Sequence, residues 1–190
     1  MQDYYDINSI SFFQGTVNAD MTSHYKKFLK FVPKKGHILD AGCGSGRDSL
    51  MFKSYGYNVT PFDGSLEMCK LASKYLRQEV LHLKFQDLEF NEVFDGIWAS
   101  ASLLHVPSNE IQIVLKKLKK ALKKDGILYA SFKYGDFEGI RNGRYFIDLT
   151  EKTANELFIS ANFKLIKTWI TNDVRKEHEN EKWINILANN

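Results

Sequence analysis

The chain has 190 residues, 44% of them hydrophobic, which suffices for one buried core and argues against two domains. Its 26 basic and 23 acidic side chains leave a formal charge of +3 spread along the sequence, so neither nucleic acid nor a membrane surface is the automatic partner, and anionic small molecules fit the slight basic bias. Only two cysteines occur, no apolar run approaches about 18 residues, and the opening "MQDYYDINSISFF" lacks a basic lead; these features exclude a disulfide framework, a paired-cysteine metal motif, a membrane span and an export signal, and the chain reads as cytoplasmic.

In chain order, four aromatics come first, within "YYDINSISFFQGT". Between Asp20 and Lys30, Met21, Tyr25, Phe28 and Leu29 recur at helical spacing, and Pro33 closes that segment before the strand-like run "HILDA". After a glycine loop, "RDSLMFKSYG" predicts a helix, "YNVTPFD" a strand, "SLEMCKLASKYLRQ" a helix and "LHLKFQD" a third strand. "FDGIWAS" and "GILYASF" predict two more strands, joined by a helix from Ser108 to Lys123 that closes at "DG". This alternation predicts a parallel sheet covered on both faces, with functional loops at the strands' carboxyl ends. From Lys133 to Asp148, "KYGDFEGIRNGRYFID" has three glycines and no period, and predicts a long loop. "TEKTANELFISA" then predicts an acid-started helix, and "FKLIKTWIT" and "KWINILA" predict an antiparallel hairpin.

The glycines concentrate where the first predicted strand meets the next helix. A strand ending at Asp40, then Gly42, Gly44 and Gly46, then a helix from about Arg47, predicts backbone N–H groups and a positive helix end beside the sheet's carboxyl edge. A dinucleotide fingerprint needs a small residue where Arg47 stands, and a P-loop needs a lysine that this loop lacks. Asp63 ends the second strand 21 positions after Gly42, where a carboxylate can accept from both hydroxyls of a ribose; the same residue also suits a helix N-terminus, although Ser65 competes for that role.

The remaining pattern, D-x-G-x-G-x-G, resembles motif I of the class I S-adenosylmethionine-dependent methyltransferases, and the βα rhythm extends the resemblance over nearly the whole chain. It looks similar to small bacterial methyltransferases of the tellurite-resistance type. The resemblance implies one α/β domain over residues 1–190: a Rossmann-like seven-stranded sheet, mostly parallel, with a C-terminal antiparallel hairpin and helices on both faces. Within it, residues 1–34 would form an N-terminal lid and helix, and 133–148 a substrate-side loop. It further implies S-adenosyl-L-methionine as cofactor, no metal, and a monomer or weak homodimer. Donor contacts would run along Asp40, Gly42, Cys43, Gly44, Gly46 and Arg47, with Asp40 and Gly42 at the methionine end. Asp63 and Gly64 would meet the ribose. Asp87 would accept from the adenine amino group or serve as a turn residue, Met68 and Leu88 would flank the ring, and Ala99 and Ser100 would lie along the donor.

On the acceptor side, "FDGIWASASLLHV" lacks the Pro-Pro-aromatic tetrapeptide of base N-methylation and carries no cysteine nucleophile. His105 is the general-base candidate, against a structural role at a helix start. Tyr5, Phe12 and Phe13 suit either a lid or core anchoring. Lys133, Arg141, Arg144, Tyr145 and Arg175 suit either an anion-binding rim or a solvated surface. The run "KKLKKALKK" reads as the outer face of a sheet-covering helix. The expected activity is therefore methyl transfer to an O, N or metalloid-type centre of a small acceptor; a non-catalytic donor-binding subunit and an RNA methyltransferase are the alternatives.

Overall fold

The computed structural model describes residues 2–190. Two short helices, α1 (Gln2–Ile7) and α2 (Ser9–Thr16), precede α3 (Thr22–Phe28) and the first strand, β1 (His37–Ala41). Alternating units follow: α4 (Arg47–Ser54), β2 (Asn58–Asp63), α5 (Leu66–Leu76), β3 (Leu81–His82), β4 (Phe94–Ala99), α6 (Ser108–Ala121) and β5 (Leu122–Lys133). The chain closes with a small hairpin, β6 (Glu138–Arg141) and β7 (Arg144–Ile147), then α7 (Glu151–Ser160), β8 (Lys164–Asn172) and β9 (Lys182–Asn189). Seven strands form one sheet in the order β3-β2-β1-β4-β5-β9-β8; β9 pairs antiparallel to both neighbours, and the other pairings are parallel.

Period-two alternation sorts the strand residues onto two cores. Leu39, Ile97, Leu128 and Ala130 join Ile111, Leu115 and Leu118 of α6 and Phe158 of α7. Their neighbours Ile38, Trp98, Ile127 and Tyr129 face the opposite way, onto Tyr25 and Phe28 of α3 and Phe52 of α4. Trp98 stacks on Tyr129 with ring centroids 3.9 Å apart. α3 lies so close to β4 that a Cβ at Gly96 would sit 2.7 Å from the Phe28 ring, which explains glycine inside a buried strand.

Three segments depart from the sequence expectation. The stretch from Lys133 to Asp148 is not a loop: its middle pairs as the β6–β7 hairpin, with Glu138 opposite Ile147 and Arg141 opposite Arg144. "LHLKFQD" pairs only at Leu81 and His82 and then turns through a 3-10 turn at Phe85–Asp87. The helix expected to reach Lys123 ends at Ala121, because Leu122 is already paired with Phe94 of β4.

Candidate functional site

The carboxyl ends of β1, β2, β4 and β5 open into one cavity of about 870 Å³. Its wall includes Gly42 to Ser45, Arg47 and Asp48; Asp63, Gly64, Ser65 and Met68; Leu83 to Gln86; and Ser100 to Ser102. The same cavity is lined by Tyr4, Tyr5 and Phe12 from the first two helices, by His105, and by Arg141, Arg144 and Phe146 of the small hairpin.

Gly42, Gly44 and Gly46 all adopt positive φ (+76°, +54° and +78°). Gly42 has a second constraint: a Cβ there would lie 2.5 Å from that of Ser102, whose hydroxyl donates to the Ala41 carbonyl at 2.6 Å. Four of the loop's amides do not stand free, contrary to the sequence expectation. Gly42 and Cys43 N–H both donate to the Phe62 carbonyl, Gly44 N–H donates to Asp63 Oδ2 at 2.9 Å, and Gly46 N–H donates to the Cys43 carbonyl. The glycines thus let the loop fold flat against the strand ends and leave the space above it open.

Asp63 joins two loops, accepting from Gly44 N–H on Oδ2 and from Ser65 N–H on Oδ1. Burial raises its pKa above the usual carboxylate range, and these amides pull it back. A carboxylate offers about four lone-pair sites, so it retains capacity for vicinal hydroxyls presented from the cavity. Ser65, not Asp63, caps α5, its Oγ accepting from Met68 N–H at 3.1 Å.

Asp40 lies beneath the loop, outside the cavity wall, where its Oδ2 accepts from Ser49 Oγ at 2.6 Å. Burial and the neighbouring Asp48 push its pKa up. Asp48, which the sequence reading did not single out, lines the cavity in its place. It accepts from Arg47 Nε (2.6 Å) and Nη2 (2.9 Å), Tyr25 Oη (2.5 Å) and Trp98 Nε1 (2.7 Å), and this set holds its pKa below the usual range despite burial. The remaining Arg47 nitrogen, Nη1, donates to the Thr16 carbonyl at 3.3 Å, tying the end of α2 to the glycine loop. The one sequence signal for Asp48 was an acid in the first turn of the helix after the loop.

His105 sits in a 3-10 turn (Leu103–His105) with both ring nitrogens engaged. Nδ1 lies 2.7 Å from the Tyr145 carbonyl, which can only accept, so Nδ1 carries the hydrogen; Nε2 then accepts from Tyr5 Oη at 2.7 Å. Burial, with Arg144 nearby, lowers the imidazole pKa to about 4, so the ring is neutral at neutral pH. Ala101 precedes this turn with φ +51° and donates to Ser131 Oγ at 2.8 Å, a strained bend at the end of β4 that no sequence feature announced.

The other expected site residues divide. Met68 and Gly64 line the cavity, Ser100 lines it where Ala99 is buried below, and Tyr5 and Phe12 line it where Phe13 packs edge-on against Tyr75. Leu88 is in the core, and Asp87 is exposed beyond the wall formed by Leu83 to Gln86. Lys133, Arg141, Arg144 and Arg175 all reach the wall. The Tyr145 hydroxyl instead turns outward and donates to Glu138, leaving its carbonyl to hold His105. No group of three or more acidic, histidine or cysteine residues among the described residues is placed to hold a metal.

Residues 39–130 match a methyltransferase domain family. An uncharacterized methyltransferase of Staphylococcus carnosus is 27% identical over 161 residues, 77% of this chain and 78% of its own. The ubiquinone biosynthesis O-methyltransferase of Coxiella burnetii is 32% identical over 114 residues; the match covers 54% of this chain and about half (48%) of that relative. The crystal structure of the Burkholderia thailandensis 1,6-didemethyltoxoflavin-N1-methyltransferase, with 1,6-didemethyltoxoflavin and S-adenosylhomocysteine bound, shares the fold with a TM-score of 0.82 at 20% identity, over 99% of this chain and 86% of that one. The sheet order is that of the class I methyltransferase fold, and the matched domain and the methyltransferase relatives converge on S-adenosyl-L-methionine-dependent methyl transfer, with that donor as cofactor.

Proposed function

We propose that the chain transfers the donor's methyl to an oxygen or nitrogen of a small, flat acceptor. One observation carries this reading: the glycine loop and a second wall of aromatic and basic residues, including Tyr5, His105, Arg144 and Phe146, line the same cavity. The residues present fit the donor, because Gly42 and Gly44 put no side chain of their own into the cavity they line and the carboxylate of Asp63, also on its wall, has acceptor capacity for a ribose diol. S-adenosyl-L-methionine, when bound, supplies a methyl already activated on a sulfonium.

What the protein adds is alignment and exclusion of water. Tyr5 and Phe12 lie over the loop side of the cavity, where the α1–α2 segment restricts solvent access. His105 gives the acceptor's proton a destination: the lone pair on Nε2 faces Tyr5 Oη, so a proton passed to that oxygen moves on to the imidazole. This favours an O–H or N–H nucleophile over a metalloid centre, which has no such proton to lose. The lysines of α6 lie away from the site; Lys117 and Lys119 donate to the carbonyls of Leu88 and Asn162.

The test is a screen of phenolic and nitrogen-heteroaromatic acceptors, reading S-adenosylhomocysteine release, with bulk RNA alongside. Turnover with a small acceptor, reduced about 10²-fold by His105→Gln with donor affinity unchanged, is the expected result. Product from RNA alone would replace this reading with the nucleic-acid one.

A further inference from the structure

Charges around the cavity are mostly cancelled by the protein itself. Arg47 is paired with Asp48, Lys133 with Glu181, Arg141 with Asp148 and Arg175 with Asp173. Arg144 differs. Among the described residues it has no carboxylate partner, its one hydrogen bond is a long donation from Nη1 to Tyr5 Oη at 3.4 Å, and its Nε is buried with no partner at all.

The guanidinium is nevertheless held in place. It lies over the ring of Tyr4 at 4.7 Å, Phe146 at 5.1 Å and Tyr5 at 5.9 Å. A buried, unpaired Nε–H costs free energy unless something accepts from it. Nε and a terminal nitrogen form a planar two-donor edge that matches a carboxylate. Arg144 lines the cavity wall, which brings its guanidinium within reach of a ligand there.

We propose that Arg144 binds an oxyanion, a carboxylate or group of like geometry, carried by the methyl acceptor, so that the substrate is an anionic small molecule. The inference rests on the reading of this cavity as a methyl-transfer site and narrows its substrate class. Arg144 Nη1 and His105 Nε2 both contact the Tyr5 hydroxyl, which places the anion beside the proton path. The anion therefore sits within a few bonds of the accepting atom. The donor's own methionine carboxylate is the competing source of the same chemistry, and the measurement separates the two.

Binding of aromatic acids is compared with binding of their amides by calorimetry on the protein saturated with S-adenosylhomocysteine, using benzoate against benzamide, 4-hydroxybenzoate against 4-hydroxybenzamide, and indole-3-carboxylate against its amide. At least one acid should bind about tenfold or more tightly than its amide, with an affinity that falls as salt rises. Arg144→Gln should remove that preference, and Arg144→Lys, which keeps the charge without the fork, should retain part of it. S-adenosylhomocysteine affinity should change less than about twofold in both variants. No acid preference anywhere in the panel, including no binding, overturns the proposal, as does a preference that survives Arg144→Gln. Loss of S-adenosylhomocysteine affinity in Arg144→Gln assigns the residue to the donor's carboxylate instead. Failure of the wild-type protein to bind S-adenosylhomocysteine would defeat the methyl-transfer reading itself, and the acid–amide comparison on ligand-free protein remains readable in that case. The salt dependence in the wild type decides the matter if a variant does not fold.

Discussion

His105 donates from Nδ1 to a carbonyl that has no proton to return, so the imidazole's lone pair is fixed on Nε2, facing the Tyr5 hydroxyl. Burial lowers its pKa from the usual 6.5 to about 4, while the unfolded chain titrates normally. Between these values the unfolded state holds more protons than the folded one, so this histidine's contribution is full above about pH 6.5 and is lost as pH falls toward 4. The slope from one such group approaches ~1.4 kcal/mol per pH unit. Denaturant unfolding at pH 7, 6 and 5 should therefore show His105→Gln losing less stability on acidification than the wild type; parallel curves would reject the buried neutral imidazole. The position of this residue was legible from its place after the fourth strand, but its partners were not. Tyr5 and Tyr145 lie 100 and 40 residues away along the chain. The same distance problem hid Asp48, whose role comes from Tyr25 and Trp98 on two other elements.

At the scale of elements, one carboxylate fastens the first helix to the amino end of another. Asp6, at the end of α1, accepts from Ser65 Oγ at 2.5 Å and from Glu67 N–H at 3.2 Å, so it binds the amino end of α5, and its pKa is lowered mainly by the Ser65 bond. Asp6→Ala should loosen the α1–α2 segment without unfolding the sheet. Amide exchange over residues 4–16 should quicken about tenfold, the change expected from losing a charge-assisted bond, and exchange in β1 and β4 should stay as it was. Equal exchange in both proteins would show that the segment is held without Asp6, by its aromatic contacts and by the Tyr5–His105 and Arg47–Thr16 hydrogen bonds. Neither helix was readable beforehand, because each is short and Ile7 and Ile10 point outward, 81% and 66% exposed, so no apolar stripe forms. The β6–β7 hairpin escaped for a related reason. Its strands have four residues each, and the contacts that position them, the Tyr145 carbonyl on His105 and the Tyr145 hydroxyl on Glu138, are not encoded as a period. The long βα units were plain, since each strand's alternation and each helix's stripe repeat locally.

For the whole molecule, the two cores on either side of the sheet meet the cavity through the same strands. Trp98 illustrates the link: it is fully buried, it stacks on Tyr129, and its Nε1 donates to Asp48 at the cavity wall. A ligand that binds only the folded sheet must then stabilise the whole domain, by about 2.7 kcal/mol at one hundred times its dissociation constant. For a chain of this size that corresponds to a rise in melting temperature of roughly 5–10 °C with saturating S-adenosylhomocysteine. Asp63 is the residue on which to test the coupling, and asparagine is the better substitution. Alanine would orphan the amides of both Gly44 and Ser65, whereas Asp63→Asn keeps the shape and one acceptor oxygen, which holds one of the two amides while its NH2 stands where the other amide and a ribose hydroxyl need an acceptor. The variant should melt within a few degrees of the wild type when ligand-free and lose most of the ligand-induced rise. An undiminished rise would remove Asp63 from the donor site, and an equal rise with NAD would show that the flat glycine loop does not discriminate between nucleotides.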